Sequence, residues 1–164
     1  MIISEKPKQT AVQHTKKKVV WIDFDWFETN KRIQHKTARD GQTFRLKFLK
    51  ENPDLKAGDL LFENENSAYY IYILPCDCLV IVPKSNFEIA SICYEIGNKH
   101  LPLFYEDDTL LVPFEKPLFQ QLKAMGFEVF KSKKSLLTPL KTTVAPHGES
   151  KSLFSKIMDF TEKR

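Results

Sequence analysis

Four histidines and three cysteines are the side chains in this sequence with metal or nucleophilic chemistry, and they are thinly spread. Cys76-Asp77-Cys78 places two thiols one residue apart, closer than the two-residue gap of a redox or zinc half-site, and no second cysteine pair exists to complete a structural site. The pair either binds metal or lies at a strand edge, and the second reading is the simpler. Cys93 stands at helical spacing from Ile89, Ile92 and Ile96 and reads as a core thiol. Glu106-Asp107-Asp108 has the charge to hold a hard cation, but three acids between two short apolar runs are the usual composition of a solvated turn. Trp21, Phe24, Trp26 and Phe27 can stack bases or dock peptide, or simply form core and rim. His14 and His35 have no partner at ligand spacing. His100, in Ile96-Gly97-Asn98-Lys99-His100, follows a helix end whose free carbonyls and dipole favour a cation, although position alone is that of a structural histidine. His147 lies in a polar tail. No G-x-S-x-G elbow, P-loop or G-x-G-x-x-G turn is present, so nothing points to catalysis.

The elements that must position these residues fall into three parts. After a polar leader, Val20, Ile22 and Phe24 alternate with polar or bulky neighbours, as do Phe44, Leu46 and Phe48, and turn signals occur at Asp40-Gly41, Asn52-Pro53 and Gly58-Asp59. This predicts a small all-β domain over residues 1–76. A second pattern follows: strand Leu79 to Val82, a helix from about Asn86 to Ile96 capped by Ser85 and Glu88 and ended by Gly97, and a hairpin around the acidic turn. A helix beginning near Pro117, with Leu118, Leu122 and Met125 on one face, then stops at Gly126 before the strand Phe127 to Phe130. The order β-α-β-β-α-β predicts a ferredoxin-like domain over residues 77–134. From Lys131 onward the chain is polar, and residues 135–164 are expected to be a flexible tail. Within that tail Leu153, Phe154, Ile157 and Met158 share one helical face and are expected to order only against a partner. The fold class is α+β.

Length and composition agree with two small packed units: 164 residues, 42% hydrophobic, with 13 phenylalanines. The longest apolar runs, Tyr69 to Leu74 and Leu79 to Val82, are far below the roughly 20 residues of a membrane span. Met1 to Lys8 lacks the apolar core of a secretory signal, so the cytoplasm is the expected location and the three cysteines are expected to be reduced. The net charge of +4 comes from lysine clusters at 16–18 and 131–134, which are weak grounds for a nucleic-acid partner; neither nucleic acid nor membrane is expected.

Tyr94-Glu95-Ile96-Gly97-Asn98-Lys99-His100-Leu101-Pro102 resembles the E-[IL]-G-N-[RK]-H signature of the UreE urease accessory proteins, a nickel metallochaperone family. Trp26-Phe27-Glu28-Thr29 with Lys31-Arg32-Ile33, Gly58-Asp59-Leu60-Leu61 and Val112-Pro113-Phe114-Glu115-Lys116-Pro117 resemble further segments of that family, so the likeness runs from residue 19 to 131. The resemblance implies an N-terminal domain that engages protein partners and a ferredoxin-like domain that dimerises. It also implies one nickel ion held between the signature histidines of two protomers, with tail histidines completing the shell. Those roles pass to His100 and His147. Imidazole serves nickel, copper and zinc alike, so Ni(II) is the expected cargo, with Zn(II) and Cu(II) competing. The implied partners are a second copy, the urease accessory GTPase and the urease maturation complex. The other reading is a non-catalytic protein-binding adaptor with a vestigial or structural metal site. The tail carries only His147, so storage of several ions is not implied, and Lys99 replaces a common arginine, keeping charge but losing the guanidinium fork.

Overall fold

The computed structural model describes residues 1–5, 7, 16–50 and 52–140. His14, His147 and the segment 153–160 lie outside the described residues.

The N-terminal unit contains strands β1 (Ile2–Ile3), β2 (Lys18–Phe24), β3 (Ile33–Thr37), β4 (Thr43–Lys47), β5 (Leu60–Glu63) and β6 (Ser67–Ile73), with one 3-10 turn at Trp26–Glu28. They form two three-stranded sheets ordered β1-β4-β3 and β2-β6-β5. The expected alternation places Val20, Ile22 and Phe24 of β2 and Phe44 and Leu46 of β4 inward, and they meet Tyr69, Ile71 and Ile73 of β6 in a core shared by both sheets. Strand β6 is central and carries Ala68, Tyr70 and Ile71 buried as well, so it reads as a continuous apolar run rather than an alternation. Of the aromatic group, Phe24 is core, Trp21 packs on Tyr70 and Tyr72, Trp26 reaches the second unit, and Phe27 is half exposed.

The second unit follows the expected order: β7 (Cys76–Val82), α1 (Asn86–Asn98), β8 (Phe104–Glu106), β9 (Thr109–Pro113), α2 (Lys116–Ala124) and β10 (Glu128–Lys134). The sheet is antiparallel with order β10-β7-β9-β8, the ferredoxin-like arrangement. Side chains on one face, among them Leu79, Ile81, Leu110, Val112 and Val129, pack under α1 and α2 through Ile92, Ile96, Leu118 and Leu122. Ile89 and Met125, expected on those buried helix faces, are instead exposed at the rims. Asp107 and Asp108 both take positive φ (45° and 59°), so the acidic turn is the two-residue hairpin connection and binds its own hairpin through Tyr105, whose hydroxyl donates to Asp108 at 2.6 Å.

After α2, two boundaries differ from the sequence expectation. The last strand extends through the polar Lys131–Lys134 because each residue pairs with β7, from Lys131 opposite Leu79 to Lys134 opposite Cys76. Lys131 also forms an ion pair with Asp77 at 2.6 Å. Residues 135–140 pack onto the body: Leu136 is 3% exposed and the main chain of 138–140 bonds to residues 103–105.

Candidate metal centre

Helix α1 presents the candidate histidine. Ser85 caps its start by accepting the Glu88 N–H at 3.2 Å, while the Glu88 carboxylate takes the N–H of Lys84 at 2.8 Å. The helix does not stop at Gly97, which is helical and meets nothing within 4 Å of where a Cβ would stand. It continues to Asn98, and His100 takes the left-handed conformation with φ 54°. The His100 N–H donates to the Gly97 carbonyl at 3.0 Å and the Leu101 N–H to the Ile96 carbonyl at 3.3 Å, the two bonds of a Schellman ending. Helix α2 closes identically: Gly126 N–H to Lys123 at 3.0 Å and Phe127 N–H to Leu122 at 3.1 Å, with Gly126 at φ 85°. Glycine holds the left-handed position in one helix and His100 holds it in the other. A histidine there costs about 1 kcal/mol that glycine would avoid, so backbone strain coincides with the one described histidine singled out for ligation.

The rest of the motif has structural duties. Glu95 accepts from the Gln121 amide at 2.7 Å and ties α1 to α2, and Ile96 is fully buried while supplying a carbonyl to the cap. Sequence reading alone missed Glu95, because its partner lies 26 residues away on another helix. The outer face of α1 carries Phe87, 80% exposed, and Tyr94, 69% exposed, one heptad apart with Ala90, Ser91 and Gly97 between or beyond them. His100 lies just past the end of this face and is itself exposed.

Other candidate ligands are engaged elsewhere. Cys76 and Cys78 lie in β7, an interior strand and not an edge, on the face away from the helices. Burial pushes both thiols up from their ordinary values, and burial does the same to Cys93, so all three remain protonated and poor ligands at neutral pH. His35 accepts from the Arg45 guanidinium at 3.0 Å. Among the described residues no three His, Cys, Asp or Glu side chains come together to hold a metal ion. No helix among them is long and apolar enough to cross a membrane.

A two-sheet β unit followed by a ferredoxin-like unit that exposes His100 in the left-handed conformation at its first helix end defines a class of small, two-part α+β proteins. Residues 3–71 match the N-terminal domain of the UreE urease accessory protein, and residues 76–148 match its C-terminal domain. The chain belongs to the UreE urease accessory protein family. It is 43% identical to the urease accessory protein UreE of Flavobacterium johnsoniae over 150 residues, covering 90% of this chain and 91% of the relative. UreE of Actinobacillus pleuropneumoniae is 37% identical over 80% of this chain and 70% of its own length, and UreE of Acetivibrio thermocellus 35% identical over 84% and 88%.

Proposed function

We propose that this chain is a cytoplasmic, homodimeric nickel carrier that delivers Ni(II) during urease maturation and catalyses no covalent step. The observation that carries the reading is His100, held exposed in the left-handed position of a packed helix ending, next to an exposed face bearing Phe87 and Tyr94. One histidine cannot build a site, but two-fold pairing of α1 supplies two rigid imidazoles from one position per chain. His147 from the tail then completes the shell. Two preorganised ligands from the packed domains plus the tail imidazole hold an ion firmly enough to carry it, and exchange of the tail imidazole lets the ion leave to the accessory GTPase and the maturation complex without unfolding the domain. Zinc and copper compete, because imidazole suits all three and copper stands above nickel in intrinsic affinity.

Calorimetric titration of the full chain with Ni(II) tests this. The expected stoichiometry is one tight ion per two chains, abolished by His100→Ala and only weakened by His147→Ala. Wild-type nickel affinity in His100→Ala would remove the carrier reading and leave a protein-binding adaptor as the better account.

A further inference from the structure

The six residues after β10 touch both units at once. At the end of β10 the Lys134 ammonium lies 2.5 Å from the Glu106 carboxylate of β8. The Ser135 hydroxyl then donates at 2.8 Å to the carbonyl of Ile73, the last residue of β6 in the N-terminal unit. Leu136, 3% exposed, joins Cys78, Val80, Phe104 and Leu111 on the sheet face turned away from the helices. The other four belong to the sheet, so Leu136 and Trp26 of the N-terminal unit, which packs against the cluster, are the side chains that cover it from outside. The Trp26 and Phe104 rings meet edge to face at 5.6 Å. Beyond Leu136 the chain pairs with β8: the Tyr105 N–H donates to the Thr138 carbonyl at 3.0 Å, and the Leu140 N–H to the Leu103 carbonyl at 2.8 Å. The hold is light for a segment between two packed units. Leu137 and Leu140 are 47% and 49% exposed, and a cavity of about 250 Å³ lies between the segment and residues Leu55, Lys56 and Ala57 of the N-terminal unit. The ion pair is part-exposed on both sides and contributes little. One buried side chain and two edge hydrogen bonds open at a lower free energy than the strands beneath them.

The covalent joint between the units is short. Strand β6 ends at Ile73 and β7 begins at Cys76, and Leu74 still belongs to the first unit because its N–H donates to the Phe24 carbonyl at 2.8 Å. Pro75 is left as the joint, with φ locked by its ring and ψ free to turn. A joint of that kind needs a second attachment to hold one angle. We propose that residues 135–140 are a releasable clasp, closed by Leu136, that fixes the angle between the two units, and that opening it lets them turn independently about Pro75. The inference does not depend on metal binding. Opening removes the leucine that covers the cluster from outside, so Cys78, fully buried when the clasp is closed, becomes accessible to a thiol reagent. Leu136 is the anchor, and Ser135 ties the segment to the N-terminal unit beside the joint.

The test uses the full chain as wild type, Leu136→Ala and Ser135→Ala, with amide hydrogen exchange, alkylation of Cys78 mapped by mass spectrometry, and backbone residual dipolar couplings. In wild type the Tyr105 and Leu140 amides are expected to exchange at least about tenfold faster than those of Val80 and Ile81 in the interior strand β7, and the couplings of both units to fit one alignment tensor. Leu136→Ala is expected to speed exchange at the two clasp amides and alkylation of Cys78 by roughly 30-fold or more, and its couplings to require a separate tensor for each unit. Ser135→Ala removes one neutral hydrogen bond and is expected to speed both processes about two- to tenfold. Wild type and Ser135→Ala decide the matter if Leu136→Ala does not fold. Clasp amides in wild type that exchange no faster than those of β7 would overturn the proposal, as would a Ser135→Ala chain indistinguishable from wild type. So would a Leu136→Ala chain whose clasp amides are deprotected while one tensor still fits both units, because the angle would then be held by other contacts.

Discussion

At the scale of single residues, the two helix endings form an internal control. Both use the same pair of capping bonds, yet one places Gly126 and the other His100 at the residue that must take positive φ. Histidine tolerates that conformation better than β-branched residues do, but glycine adopts it without a Cβ penalty. His100→Gly should therefore leave the fold as stable as wild type or raise its unfolding free energy by up to about 1 kcal/mol, while tight nickel binding disappears. Denaturant melts and metal titration on the same sample check both halves. A large loss of stability would mean that the imidazole itself supports the fold. Proton competition gives a second expectation: a ligating imidazole must be neutral, and ordinary histidines titrate near pH 6.5. Nickel affinity should fall steeply between about pH 7 and pH 5.5, and a flat profile across that range would point to carboxylates as the main ligands.

At the scale of elements, the turn Trp26–Glu28 matters most, because it holds the tryptophan that bears on the second unit. The Glu28 carboxylate accepts the Asp25 N–H at 2.9 Å and pairs with Lys36, whose ammonium also donates to the Asp23 carbonyl at 3.0 Å. Lys31 adds a contact at 3.6 Å. Partial burial works against ionisation of Glu28, but the bonds from Lys36 and Asp25 and the lysine charges outweigh it and hold the carboxyl below its ordinary value. A depressed carboxyl contributes stability in full above its unfolded pKa of about 4.3, and the contribution is lost as pH falls through the lower folded value. Glu28→Gln should cost about 1–2 kcal/mol near pH 7 and flatten the fall in stability below about pH 4.5, measured as melting temperature against pH. Equal slopes for both proteins would dismiss the assignment. This turn also marks how far the sequence could be read. The β2 alternation, the Ser85 cap and the Gly126 stop were legible because each is a local pattern. Strand β10 through Lys131–Lys134 was not, since its residues are polar and only pairing with β7 makes them a strand. Gly97 misled as a helix stop because the left-handed site fell three residues later, on a residue type that rarely takes it. The burial of Leu136 depends on Trp26, more than a hundred residues earlier in the chain, and no local pattern announces it.

At the scale of the whole molecule, the proposed site exists only if two chains meet, and the outer face of α1 is the surface suited to bring His100 to a two-fold axis. Phe87 and Tyr94 extend from it largely free of the other described residues, while Ala90, Ser91 and Gly97 are small enough to let a second helix approach closely. Apolar side chains this exposed are left so at a cost in solubility, and burying two per chain against two from a partner supplies about 25 cal/mol for each Å² removed from water. Tyr94→Glu sets two carboxylates against that face across the axis without disturbing the domain, since Tyr94 is 69% exposed and belongs to neither side of the sheet core. An unpaired charge left in such an interface costs several kcal/mol, so association should weaken more than 100-fold. On the proposed dimer, light scattering at micromolar concentration should report a dimer for the wild type and a monomer for this variant, with an unchanged circular dichroism spectrum. Nickel titration should lose the tight site although His100 and His147 are both intact, because neither chain alone holds two rigid imidazoles. A Tyr94→Glu variant that stays dimeric and keeps one ion per two chains would place the axis on another surface of the molecule. A monomeric variant with wild-type nickel affinity would instead mean that one chain, through His100 and its own tail, suffices to hold the ion.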